Sequence, residues 1–190
     1  SVGAFDAVNT DIAAFDKAIA LSPDVYVKIE TTADLLTAKR NRRVGVIYSF
    51  EDAGMLEGKP ENVDHFSALG VRVMQLGYNG VSPFASGVMA PQPSAGLTDL
   101  GREAIARMNA CGVTLDLSHA DERSSLEATG ASTRPVTITH AGCYSTYAHP
   151  RNKSDAVLRA VAESGGVVGL YGLSYISAGP EQQSLDDYMA

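Results

Sequence analysis

The chain has 190 residues, 45% hydrophobic and 19% charged, so it is long enough to bury one sizeable core and has an ordinary globular composition. Its net charge of −7, with only a short basic run at 39–43, argues against binding to nucleic acid or to an anionic membrane surface. No apolar window reaches the roughly 18 to 20 residues that a transmembrane helix needs. The two cysteines, Cys111 and Cys143, are too few for a disulfide scaffold, and we interpret both as structural.

Six short runs rich in β-branched residues alternate with helical patterns along the chain. We predict that they form parallel strands: residues 25–29, 44–50, 71–76, 113–117, 135–139 and 166–171. Most are continuously hydrophobic rather than alternating, which is typical of strands covered on both faces.

Helical patterns lie between the strands and end at glycines. One covers residues 61–69, with Gly70 after it, and the basic run at 39–43 is expected at the solvated end of another helix. Two more are predicted between a polar N-cap and a glycine, from Thr98 to Gly112 and from Ser154 to Gly165. Their inward residues are Leu100, Ala104, Ile105, Met108 and Cys111 in the first, and Val157, Leu158 and Val161 in the second. This alternation implies either a doubly wound fold or a (β/α)-barrel.

Residues 80–96, GVSPFASGVMAPQPSAG, interrupt this alternation. The segment is too long for a plain connector, and loops of this kind are usually lids, binding loops or disordered. In both candidate folds the ligand binds at the carboxyl ends of the strands. Residues at those ends are therefore the first candidates for a functional site.

Four residues with useful chemistry stand at the predicted strand ends: Glu51, Tyr78, His119 and His140. The runs VTLDLSH (113–119) and PVTITH (135–140) both end on histidine. One carboxylate and two imidazoles at the same edge of a sheet suit zinc or a similar divalent ion. A single histidine at a strand end is more often hydrogen-bonded without binding a metal, so the spacing alone leaves both interpretations open.

Other motifs give weaker signals. His65 lies within a predicted helix and is expected at the surface, whereas His149 fits either a surface loop or a site. His119-Ala120-Asp121 is an H-x-D pattern, but at least three strands precede it, so we expect Asp121 to begin the next helix. The sequence contains neither a glycine-rich phosphate loop nor a G-x-S-x-G motif, so a serine hydrolase has no support.

Several segments, in this order, resemble the membrane dipeptidase family of renal-dipeptidase-like metallopeptidases: GVRVMQLGYN, GLTDLGREAIARMNACGVTLDLSH, PVTITHAG and AHPRN. The resemblance covers nearly the whole chain. It implies an α/β fold of the (β/α)8 TIM-barrel type, with residues 1–190 forming one domain that contains about strands two to seven. The chain is accordingly expected to be a fragment of the full barrel. The resemblance also implies two zinc ions that share a carboxylate and hydrolyse dipeptides through a bridging hydroxide.

The resemblance assigns roles to four residues. Glu51 of YSFED matches the bridging glutamate, and His119 and His140 match the two histidines of the second zinc. Arg151 of HPRN matches the arginine that holds the free carboxylate of the dipeptide. This role is physically reasonable, because a planar guanidinium grips a carboxylate through two parallel hydrogen bonds.

The chain departs from the family pattern in three ways. No histidine precedes Glu51, so the H-x-D pair of the other zinc is not in this sequence, and the chain stops at Ala190 without the aspartate of a later strand. Tyr78 of LGYN stands where the family usually has a histidine that polarises the scissile carbonyl. A phenol donates one hydrogen bond but supplies no cationic imidazolium. We expect Tyr78 to act in catalysis and substrate binding, and three consequences of the change stay open: a shifted substrate, a weaker peptidase activity or a divergent branch of the family.

We therefore expect a zinc-dependent dipeptidase with a small dipeptide substrate and no nucleic-acid partner. Two alternatives stay open: a non-catalytic barrel module, and a metal-dependent hydrolase of another amide or of a lactone. The sequence does not decide the dipeptide, the native metal, the compartment or whether a homodimer forms.

Overall fold

The computed structural model describes residues 3–173 and 184–186, which form alternating helices and strands. The helices are α1 (Ala4–Leu21), α2 (Thr32–Arg40), α3 (Asn62–Ala68), α4 (Asp99–Cys111), α5 (Glu122–Ala131) and α6 (Asp155–Glu163), with a short 3₁₀ helix at Gly54–Leu56. The strands are β1 (Tyr26–Lys28), β2 (Val44–Val46), β3 (Tyr48–Phe50), β4 (Val71–Met74), β5 (Thr114–Leu115), β6 (Thr137–Ala141) and β7 (Val167–Leu170).

All strand pairs are parallel, and each strand pairs with a neighbour in chain order. β1 pairs with β2, β3 with β4, β4 with β5, and β6 with β7. A parallel bridge between Asp116 and Thr137 joins β5 to β6. A doubly wound sheet reverses its strand order at a switch point, and the described strands show no such reversal. The sequential order is that of a (β/α)-barrel, as predicted.

The six predicted strands are present, but one of them is divided. Residues 44–50 form β2 and β3 on either side of Ile47, so the first half pairs with β1 and the second half with β4. The predicted strand 113–117 is also shorter, with regular pairing at Thr114–Leu115 and only the Asp116 bridge beyond it.

The expectation that the strands are covered on both faces holds for the middle of the sheet and is wrong at its edges. Val71, Met74 and Ile138, on β4 and β6, are completely buried. Val44 on β2 and Val167 on β7 are 54% and 70% exposed. Among the described strands, β2 pairs only with β1 and β7 only with β6, so each has less of the sheet around it than β4, which pairs on both sides.

The predicted helices are present with their expected caps. The Thr98 side chain accepts from Gly101 N–H at the start of α4, and the Ser154 side chain accepts from Val157 N–H at the start of α6. The expected burial of Leu100 is wrong, because this side chain is 39% exposed. Gly101 faces inward instead, and its lack of a side chain leaves room for the carbonyl of Phe84.

Helix α1 was not predicted, although its apolar residues repeat at helical spacing. Phe5, Val8 and Ile12 pack against the core. Asp16 fixes the helix to the sheet, since it accepts hydrogen bonds from Lys28 Nζ and Tyr48 Oη, each 2.8 Å long. Among the described helices, none is long and apolar enough to cross a membrane.

Candidate metal centre

Glu51, His119 and His140 converge at the carboxyl ends of the strands. Glu51 Oε1 lies 3.1 Å from His119 Nε2 and 3.2 Å from His140 Nε2, and the two Nε2 atoms are 3.0 Å apart. All three residues line one cavity of about 330 Å³. The structure thus brings together the three residues that strand-end spacing singled out, on one rim of the sheet.

Local structure explains why these side chains meet. Glu51 follows β3 directly, His119 follows β5 after a short turn, and His140 lies in the last part of β6. Parallel strands place their carboxyl ends at one edge, so residues 68 and 21 positions apart become neighbours.

The donor set fits a divalent cation. Ligands of a tetrahedral zinc lie about 2.1 Å from the ion and hence about 3.4 Å from one another, close to the spacing of these three atoms. Two imidazole nitrogens and a carboxylate oxygen are also ligands that zinc prefers. The three residues are the one group of this kind among residues 3–173 and 184–186.

His119 is held on several sides. Its side chain is 3% exposed, and Nδ1 lies 2.8 Å from Asn79 Oδ1. Burial, followed by the positive charge of Arg151 and the ring of His140, lowers the pKa of His119 to about 3. The ring is therefore neutral at ordinary pH, which is the state of imidazole that binds metals.

Glu51 and His140 are more open to the cavity. The Glu51 side chain is 59% exposed and that of His140 is 28% exposed. His140 Nδ1 lies 2.9 Å from Thr139 Oγ1, so its Nε2 is the nitrogen that faces Glu51. The site is therefore closed at buried His119 and open to solvent at Glu51.

Arg151 lies in the wall of the same cavity and is only 6% exposed. Its Nη1 donates to the Ser118 carbonyl, its Nη2 lies 3.1 Å from His119 Nε2, and its guanidinium lies 5.9 Å from the centre of the Tyr171 ring. The guanidinium is thus fixed beside the metal-ligand candidates and brings a positive charge to the cavity wall.

Tyr78 stacks on His119. The ring centres are 3.9 Å apart with planes inclined by 24°, and Tyr78 remains 48% exposed in the cavity wall. The aromatic contact covers one face of the buried imidazole. The structure therefore places Tyr78 next to the metal-ligand candidates, where the sequence predicted a residue of catalysis and substrate binding.

The long loop supports the site from the side. Val88 N–H donates to the His119 carbonyl at 3.0 Å, and Met89 N–H donates to the Asn79 carbonyl at 2.8 Å. Within the loop, the side chain of Phe84 is fully buried. Residues 80–96 are therefore ordered, and Met89 lines the cavity, while a role as a lid or as a binding loop stays a prediction.

The remaining sequence candidates have clear positions. Asp121 caps α5 by accepting from Ser124 N–H and does not join the metal-ligand group, as expected for this H-x-D pattern. His65 is exposed on α3, also as expected. His149 lines the cavity, and burial and the charge of Arg151 lower its pKa. Cys111 and Cys143 are free thiols.

Two further residues of the site were missed by sequence reasoning. Asn79 contacts His119 Nδ1, and Asp116 lies beneath the site as a buried carboxylate. Asp116 stands three residues before His119 in VTLDLSH, and an acidic residue inside an apolar strand is a signal that could have identified it.

Comparison with known proteins agrees with this geometry. The sequence profile of the membrane dipeptidase family, peptidase family M19, matches residues 3–190. The chain belongs to this family. A dipeptidase of Schizosaccharomyces pombe, itself described as uncharacterized, is 32% identical over 145 residues, which are 75% of this chain and 36% of that protein. A protein encoded in the pqqA 5′ region of Klebsiella pneumoniae is 30% identical over 160 residues, 81% of this chain and 59% of that protein.

Solved structures of the family's fold superpose closely. An amidohydrolase from Pseudomonas aeruginosa is 34% identical with a TM-score of 0.90, over 97% of this chain and 56% of that one. A metallopeptidase from Rhodobacter sphaeroides, solved with a phosphinate mimic of L-Ala-D-Ala, has a TM-score of 0.79 at 24% identity, over 86% of this chain and 49% of that one. The second likeness concerns the fold alone. The TIM-barrel type is thereby confirmed, and the chain spans about half the length of these two solved structures.

Proposed function

We propose that the protein hydrolyses dipeptides with the help of zinc bound at Glu51, His119 and His140. The observation that carries the proposal is the convergence of these three donors within 4.8 Å in one cavity, in a chain of the membrane dipeptidase family. The name of the yeast relative, a dipeptidase, supports the same activity.

A dipeptide carries a free carboxylate close to its single peptide bond, and the cavity has a matching group. Arg151 is buried, fixed by the Ser118 carbonyl and adjacent to His119. A guanidinium held in this way binds a carboxylate and so places the neighbouring peptide carbonyl over the metal-ligand candidates. This contact selects the peptide bond next to a free C-terminal carboxylate, which in a dipeptide is its only peptide bond.

Among the described residues that line the cavity, Tyr78 is the one with a phenolic hydroxyl. Because its ring is fixed against His119, the hydroxyl can donate a hydrogen bond to a substrate oxygen at little cost in side-chain entropy. We assign to Tyr78 the role of supporting the scissile carbonyl as negative charge develops on its oxygen.

Bound zinc would supply the remaining chemistry, since it lowers the pKa of water from about 15.7 toward about 7 and polarises carbonyl oxygens. Glu51, with its side chain exposed to the cavity, would hold zinc together with His119 and His140, and would also be available as a ligand of a second ion. The H-x-D ligands of the other ion are not among these 190 residues, because no histidine precedes Glu51.

The proposal is tested by metal content and by hydrolysis of free dipeptides. After removal of metal with a chelator, the protein should be inactive, and returned zinc should restore activity. Glu51→Gln keeps the size of the side chain but removes its charge, and should weaken zinc binding by about tenfold or more. Glu61→Gln, at an exposed acid before α3, is the matched control and should change neither zinc binding nor dipeptide hydrolysis.

A protein that binds zinc fully but cleaves no dipeptide would refute the dipeptidase assignment. In that case the same zinc-loaded protein, assayed against other amides and lactones, decides between a different hydrolase and a non-catalytic module.

A further inference from the structure

Asp116 is a carboxylate buried beneath the metal-ligand candidates, and the proposed function assigns it no task. Its side chain is 3% exposed and receives five hydrogen bonds. Two come from Ser118, through N–H at 3.0 Å and Oγ at 2.6 Å. Two come from Thr139, through N–H at 3.1 Å and Oγ1 at 2.6 Å, and the fifth comes from Gln75 Nε2 at 3.0 Å. Asp116 thus accepts hydrogen bonds through both carboxylate oxygens, three at Oδ1 and two at Oδ2.

This network fixes the direction of the hydrogen bond to His140. A hydroxyl has one proton, and Thr139 gives it to the carboxylate at 2.6 Å. Thr139 Oγ1 therefore has only lone pairs to offer His140 Nδ1, 2.9 Å away. Nδ1 is then the donor in this contact, which favours a neutral His140 with its proton on Nδ1 and a lone pair on Nε2. The contact with Thr139 opposes the Glu51 carboxylate, which lies 3.2 Å from Nε2 and would accept a proton from it.

The backbone of His140 is fixed by the same group of residues. Ser118 Oγ donates to Asp116 and accepts from His140 N–H at 3.1 Å. Asp116 therefore supports His140 in two ways: it binds Ser118, which contacts the main chain of His140, and it binds Thr139, which contacts the ring.

We infer that Asp116 acts through Thr139 as a positioning residue, which holds His140 in the tautomer that presents the Nε2 lone pair to Glu51 and His119. The inference rests on the proposed metal centre for its purpose. The tautomer itself is a property of the chain without metal, and can be measured there. Without the hydrogen bond to Thr139 the imidazole would exchange between two tautomers, only one of which can bind a cation through Nε2.

The experiment uses the metal-free chain, labelled with ¹⁵N in its histidines. At about pH 8, where imidazole is ordinarily neutral, the nitrogen shifts of His140 report which nitrogen carries the proton. The unmodified chain should show His140 protonated on Nδ1. Thr139→Val removes only the hydroxyl, at an exposed strand position where a β-branched residue is well accepted, and should shift the proton toward Nε2.

Two variants provide matched controls. Thr139→Ser keeps a hydroxyl and should preserve the Nδ1–H tautomer. Thr137→Val removes the same group two residues earlier on β6, where it donates to the Val167 carbonyl, and should leave His140 unchanged. Zinc affinity, measured by competition with a chromophoric chelator, should fall by about 10- to 100-fold for Thr139→Val and stay close to that of the unmodified chain for the two controls.

Two results would overturn the inference: a proton on Nε2 of His140 in the unmodified chain, or an unchanged Nδ1–H tautomer in Thr139→Val. The first needs no variant and therefore does not depend on how a substitution folds. A chain that shows the expected tautomers but binds no zinc would leave the positioning role standing and refute the proposed metal centre.

Discussion

Arg151, which we propose to bind the substrate carboxylate, is held in one orientation by its surroundings. Its guanidinium is buried, in contact with the Ser118 carbonyl and next to His119, so it cannot reorient freely. Lysine has the same charge, but its single ammonium cannot form two parallel bonds to a carboxylate. The difference between arginine and lysine at this position therefore isolates geometry from charge.

We expect Arg151→Lys to raise KM for free dipeptides, with a cost of about 1.5 to 3 kcal/mol in kcat/KM. Dipeptides with an amidated C-terminus lack the carboxylate and should be affected far less. Steady-state kinetics on the two substrate series measure the effect. An equal loss in both series would show that Arg151 does not bind the substrate carboxylate.

Tyr78 contributes a ring and a hydroxyl, and one substitution separates them. Tyr78→Phe keeps the ring that stacks on His119 at 3.9 Å and removes the hydroxyl. If the hydroxyl supports the scissile carbonyl, kcat and kcat/KM should fall together, with zinc affinity unchanged. Tyr26→Phe, at an exposed tyrosine of β1, serves as the control.

If Tyr78→Phe changes neither kcat nor kcat/KM, only the stacking of the ring on His119 matters at this position. Tyr78→His then restores the residue usual in the family, and a working site should gain dipeptidase activity from it. Loss of zinc binding in Tyr78→Phe would contradict the assignment in another way, because the removed hydroxyl has no ligand role.

At the scale of elements, the loop between β4 and α4 supports the site together with the strands. Gly87 lies directly against the backbone of Tyr78 and Asn79, where a Cβ atom would collide with the Tyr78 carbonyl. This close approach allows a bridge from Gly87 to Ala120 and the bond from Val88 N–H to the His119 carbonyl. The loop thus connects the end of β4 to the residues that follow β5.

The metal-ligand candidates were predictable because they depend on a regular rule. Glu51, His119 and His140 each follow or end a strand, and parallel strands place such residues at one edge. The helix caps Thr98, Asp121 and Ser154 were predictable for a similar reason, since capping depends on neighbours only three residues away.

The supporting contacts were not predictable, because they depend on the path of an irregular loop and on packing between distant residues. Asn79 meets His119 across 40 positions of sequence, through a segment without regular secondary structure. The break at Ile47 arises in the same way, since it reflects how β2 and β3 serve different neighbours. Helix α1 is a different case, because its apolar spacing was present and was overlooked.

At the scale of the whole molecule, a lysine side chain is buried beneath the carboxyl ends of the strands. Lys153 is 2% exposed, and its ammonium donates to the Ala120 carbonyl. Burial, followed by repulsion from Arg151, lowers the pKa of Lys153 to about 7, against the attraction of Asp116 and Asp121. In the unfolded chain the same side chain has a pKa of about 10.4.

This difference makes the stability of the fold depend on pH. Between about pH 7 and pH 10 the unfolded chain binds a proton at Lys153 that the folded chain has released, so the free energy of unfolding should rise with pH. Within this window the free energy of unfolding should rise by about 1.4 kcal/mol per pH unit because of this one group. The stabilisation is complete above the unfolded pKa and is lost as the pH falls toward 7. Lys153→Met has no such group, so urea unfolding at a series of pH values should give the unmodified chain a steeper rise than the variant. Cysteine and tyrosine titrate in the same window in both proteins and cancel in the difference. Parallel profiles would show that Lys153 stays charged in the folded state.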